Sequence, residues 1–135
     1  MNKEFIPYEQ ALALKELGFD EPCLDRYDPR FGKLSSDMET WTHEHYPETL
    51  MIPAPLKQQV FRWFREKYGL RGFIGFRPNV KRFDYHIYDM ELSGMEYVTQ
   101  RTMEAFNKDP IVGTYEEAEL GCVIKLIEIV KTKNP

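Results

Sequence analysis

His43-Glu44-His45, with Trp41, Tyr46 and Glu48 close by, comes nearest in residue type and spacing to a metal site. In an extended segment, residues two apart point the same way, so both imidazoles reach toward one ion. Zinc takes three or four ligands, and the others would have to come from Cys23, His86 or a distant carboxylate. That ligand count predicts a polar loop and no metal. The two thiols are no better placed. Cys122 lies in an apolar run, where cysteine behaves as a small inert hydrophobe. Cys23 follows Pro22 among Asp20, Glu21 and Asp25, and that negative setting disfavours the thiolate. No serine occupies a nucleophile elbow, and no glycine-rich loop is spaced to cradle phosphates or a dinucleotide. Carboxylates are abundant, but none is paired in an apolar setting that would split two pKa values. The sequence singles out no catalytic residue and no cofactor, and it leans away from an enzyme.

Charge is distributed unevenly. The 135 residues carry a net charge of −4, but residues 1–56 hold −6, residues 57–85 hold +6, and residues 86–135 hold −4. In the middle segment, Lys57, Arg62, Arg65, Lys67, Arg71, Arg77, Lys81 and Arg82 interleave with Phe61, Trp63, Phe64, Tyr68, Phe73, Phe76, Phe83 and Tyr85. Rings that stack on bases beside cations that follow phosphates make a single-strand nucleic-acid site. The same residues also suit a helix packed on a sheet, with the rings in the core and the arginines in solvent. The candidate binding residues are Arg62, Arg65, Arg71, Arg77, Lys81, Arg82, Trp63 and Tyr68. A protein partner is the first expectation and nucleic acid the alternative.

Three helices and a block of strands must position these residues. Residues 7–17 open on Pro7, carry Glu9 in the first turn and stop at Gly18. Tyr8, Ala11, Leu12, Leu14 and Leu17 supply their buried side. Residues 55–68 place Leu56, Val60, Trp63, Phe64 and Lys67 at steps of three and four and end before Gly69. Residues 114–131 begin with Thr114 and Glu117 at capping-box spacing. There, Glu117, Gly121, Lys125, Glu128 and Thr132 form one narrow polar stripe, so this helix is expected to be central and covered on two sides, with Ile124 and Ile127 both in the core. The first and last helices start alike (Pro7-Tyr8-Glu9-Gln10-Ala11 and Thr114-Tyr115-Glu116-Glu117-Ala118), as good helix starts do without duplication.

Residues 70–77 read as a strand, Pro78-Asn79 as a turn, and residues 81–92 as a strand whose Phe83, Tyr85 and Ile87 alternate with Asp84, His86 and Tyr88. Ser93-Gly94 fits a hairpin turn leading to a strand over 95–101. Ser93 and Glu96 also have capping-box spacing, which leaves a helix over 95–107 open. Residues 19–54 are acidic, proline-punctuated and poorly periodic, and short extended pieces over 23–27 and 50–53 are expected there, laid over the core.

The stretches at residues 6–23, 53–70 and 113–131 resemble small proteins of unassigned function that recur in Bacteroidetes genomes, their phages and mobile elements. That resemblance implies a stand-alone cytoplasmic accessory protein and carries no catalytic residues. Composition agrees with a folded chain: 42% of residues are hydrophobic and 30% charged, outside the disordered and fibrous ranges. The longest apolar run, residues 123–130, is broken by Lys125 and Glu128 and is too short for a bilayer, and residues 1–6 start no signal peptide. Two distant cysteines make no disulfide framework, which points to a reducing cytoplasm. The expected fold is α+β in a single domain over 1–135: a short antiparallel sheet at residues 70–101 packed against helices, with the C-terminal helix at its centre.

Overall fold

A computed structural model describes residues 4–37, 50–79, 81–89 and 113–133. The described chain is α+β, with three helices and two small antiparallel sheets. It divides into two compact units, Met1–Lys57 and Gln58–Pro135. The expected strand or helix after residue 94, and the His43 and His45 loop, lie outside the described residues.

In the first unit, α1 (Tyr8–Glu16) starts directly after Pro7. Gly18, at φ +100°, takes the left-handed conformation that ends the helix. The Phe19 N–H reaches the Leu14 carbonyl at 3.0 Å and the Gly18 N–H reaches that of Lys15, while Leu14 and Phe19 are both buried. That closes a Schellman motif. Ala11 and Leu14 form the fully buried side, and Tyr8, Leu12 and Leu17 are half-buried. Two of the expected extended pieces are strands. β1 (Asp25–Asp28) is flanked by β2 (Lys33–Leu34) and β3 (Ile52–Ala54), both antiparallel to it. The Tyr27 hydroxyl donates to the Ile6 carbonyl at 2.6 Å, tying the N-terminal segment to β1. The fully buried Asp28 accepts from the Arg30 backbone N–H and guanidinium, so a local turn satisfies its charge.

In the second unit, α2 (Lys57–Tyr68) leads through Gly69, at φ +67°, into β4 (Leu70–Arg77). β5 (Arg82–Asp89) returns antiparallel, with Leu70 opposite Asp89 and Arg77 opposite Arg82. α3 (Tyr115–Lys133) packs on both strands. Its start is capped as Thr114 predicts: the hydroxyl accepts from the Glu117 N–H at 3.1 Å. The same hydroxyl donates to the Glu117 carboxylate at 3.0 Å, so that carboxylate takes the hydroxyl rather than the Thr114 N–H of a full capping box.

Helix and sheet approach closely because two glycines face large neighbours. A Cβ on Gly72 would lie 2.7 Å from the Cys122 sulfur and 3.3 Å from Leu126, and one on Gly121 would lie 3.1 Å from the Tyr85 ring. Sheet and helix each give up one side chain where the other is bulky.

The expected stripe on α3 is corrected at one step. Ile124 is 43% exposed, whereas the side chain of Lys125 is buried. The open side follows Glu117, Ile124 and Lys131, with Leu120, Gly121 and Glu128 half-buried beside them. Lys125 sits next to that opening, covers its aliphatic stem and sends its ammonium to Glu128 at 3.1 Å. A long cation at the rim mimics a solvated position in a sequence pattern. Two substitutions therefore separate: Ile127→Ala should cost about 2–5 kcal/mol as a core truncation, and Ile124→Ala about 0.5 kcal/mol or less. Gly72→Ala should cost about 1–3 kcal/mol by forcing the helix off the sheet. Urea unfolding followed by circular dichroism measures all three.

Candidate interaction surface

The register of β4 and β5 sorts the basic aromatic segment into two faces. Leu70, Gly72, Ile74 and Phe76, with Phe83, Tyr85, Ile87 and Asp89 opposite, form the covered face. Cys122 and Leu126 of α3 and Phe61 of α2 meet at Gly72 on this side. Arg71, Phe73, Gly75 and Arg77, with Arg82, Asp84, His86 and Tyr88 opposite, form the other face. The alternation read from Phe83 to Tyr88 holds along β5.

Asp84 departs from the usual pattern, being only 4% exposed at its side chain although it belongs to the face turned away from α3. Its carboxylate lies over Gly75, where a Cβ would come within 2.5 Å of Oδ1. From that slot Oδ2 accepts from Arg77 Nε at 2.8 Å, and Oδ1 meets His86 Nε2 at 3.1 Å. Beyond His86 the face becomes aromatic. Phe73 stacks on His86 with centroids 5.1 Å apart and on Tyr88 at 5.4 Å and 8° between planes. The result is a continuous row of guanidinium, carboxylate, imidazole and two rings across both strands.

The eight candidate binding residues are not brought together on one surface. Arg71, Arg77 and Arg82 share the face turned away from α3, and Lys81 precedes β5 in the turn at φ +53°. Arg62 and Arg65 are exposed on α2, whose Phe61 packs on the covered face, so they belong to the opposite layer. Trp63 is 5% exposed, set edge-on to Phe64 and Tyr68, with the Lys67 ammonium 5.0 Å from its ring centre. It is a core residue, and Tyr68 is half-buried beside it. Around the hairpin, the exposed rings among the described residues are Phe73 (38%), Phe76 (54%) and Tyr115. Phe76 tilts against Phe83 at 5.0 Å, and Phe83 meets Tyr115 edge-on at 5.7 Å.

Sequence reasoning missed Gly75, Asp84 and His86 as a unit. A signal for it exists in the hairpin: pairing 77 with 82 sets Gly75 opposite Asp84.

The thiols behave as their settings dictate. Burial, with Glu119 nearby, pushes the Cys122 thiol far above its ordinary range. Burial first, then Cys122 and Glu128, also raises the Tyr85 hydroxyl. Cys23 is half-buried and donates to the Glu21 carbonyl at 3.3 Å. Among the described residues no three His, Cys, Asp or Glu side chains gather to hold a metal ion, and no helix is long and apolar enough to cross a membrane. No protein-family model, curated protein or solved structure matches the chain. Its class rests on fold and surface: an α+β chain with a cationic, aromatic hairpin fastened to a helix. Alkylation with iodoacetamide at neutral pH, read by mass spectrometry, should modify Cys23 in the native protein and Cys122 only after unfolding.

Proposed function

We propose that the chain is a non-enzymatic interaction protein, an accessory factor of a phage or mobile element acting in the cytoplasm, and that it docks an acidic protein through the β4–β5 hairpin. The observation that supports this most is the make-up of the hairpin surface. Phe73 is exposed on the face that carries Arg71, Arg77 and Arg82, and Phe76 is exposed on the other face next to the turn that holds Lys81. The end of the hairpin so offers the aromatic-plus-arginine mixture in which interface hot spots are richest. Arg71, Lys81 and Arg82 make no ion pair among the described residues, so their charge is available to a partner. The glycine-mediated packing of α3 holds the hairpin before any partner arrives, which lowers the entropy lost on docking.

Nucleic acid is the weaker reading. The cations divide between two layers rather than forming one track, and Trp63 and Phe64 are buried away from any base. Phe73 already stacks on His86 and Tyr88.

Two measurements test the proposal. In a gel-shift series with single- and double-stranded DNA at low salt, micromolar protein should give no shift. A shift that weakens by about one log unit per log unit of salt for each phosphate contacted would overturn the reading. In nuclease-treated affinity capture from the native cell, the wild type should retain one protein in stoichiometric yield. The Phe73→Ala/Phe76→Ala variant should lose it without a change in circular dichroism.

A further inference from the structure

The end of the hairpin carries two features that work against its own stability. Arg77 and Arg82 are directly opposite on one face, and like charges so placed repel. Lys81, next in the chain, holds φ at +53°, a conformation a side chain with a Cβ adopts at a cost. Asp84 relieves only part of the repulsion. It binds Arg77 through Nε, which leaves both terminal amino groups of that guanidinium uncommitted, and it has no bond to Arg82 among the described residues.

Resting on the docking proposal above, we infer that Arg77 and Arg82 form a clamp for one carboxylate of an acidic segment on the partner, and that Asp84, seated over Gly75, is the positioning residue that aims Arg77. Guanidinium groups take carboxylates through paired N–H donors, and a guanidinium held at Nε turns its terminal donors one way. Charge selects the ligand. Arg77, Arg82 and Asp84 together carry one positive charge, which one carboxylate neutralises and a dianionic phosphoryl group exceeds. Lys81, in the turn, serves a neighbouring acidic residue. Gly75 is part of the device, because only a residue without a side chain leaves room for the Asp84 carboxylate.

A short polyglutamate peptide titrated into the full chain at low salt, followed by fluorescence anisotropy, tests the clamp. Arg82→Gln should weaken binding about tenfold while leaving the thermal midpoint equal or higher, since a repulsion is removed. Asp84→Asn decides between an aimed clamp and a diffuse positive patch. It deletes a negative charge, so a diffuse patch would bind tighter, whereas an aimed Arg77 is released and binding falls. Gly75→Ala displaces the same carboxylate with every charge intact and should weaken binding likewise, which keeps the test sound if the asparagine variant unfolds. Inorganic phosphate at matched ionic strength should not compete. Tighter binding by Asp84→Asn, unchanged binding by Arg82→Gln, specific competition by phosphate, or no binding by the wild type would each overturn the clamp. If the captured protein is still lost with the Phe73→Ala/Phe76→Ala variant, docking by the hairpin stands without the clamp.

Discussion

The second unit depends on how closely α3 can approach the hairpin. Gly72 opposes Cys122, and Gly121 opposes Tyr85, so backbone and side chain interlock where two side chains would collide. A two-stranded sheet is marginal alone in water and needs a helix on one face. Here the helix supplies that face, and Cys122 fits because it is small and stays a neutral thiol when buried. Everything the hairpin offers on its other side rests on this contact.

That other side is organised by one buried charge. A carboxylate so enclosed is tolerable only when bonded, and Asp84 has Arg77 on one oxygen and His86 on the other. Gly75 provides the room, and the register provides the neighbours. The same arrangement fixes the imidazole against which Phe73 stacks, so a polar anchor orders the aromatic row. Without Asp84, Arg77 and Arg82 would face each other with no intervening charge among the described residues.

The first unit uses different means for a similar end. Its three strands are short, and turns with local partners hold them: Asp28 with Arg30, and the left-handed Gly32 after it. Asp25 and Asp28, two of the acidic residues that give this part of the chain its charge, are bonded within their own unit by Ser36 and Arg30.

Much of the element plan was legible in residues alone. Pro7, Gly18, Gly69 and Thr114 mark helix ends because they alter backbone freedom or satisfy orphan N–H groups, and such effects act within a few residues. The period-2 pattern of Phe83 to Tyr88 separated the two faces of β5, because strand geometry alone sets that alternation, but it did not show that Asp84 is buried. Tertiary structure decided the rest. Pattern reading takes Lys125 for a solvated position and Ile124 for core, but a lysine stem can lie along apolar surface while its ammonium reaches Glu128. Composition groups Trp63 with Arg62 and Arg71, yet helix and strand geometry send these three to the core, to one layer and to the opposite face. The Asp84 anchor needs a glycine nine residues earlier in the chain, across a turn, and only strand pairing makes those two residues neighbours. Local backbone chemistry belongs to the sequence by itself, whereas which charges are buried, shared or left open follows from contacts between segments that the chain brings together only on folding.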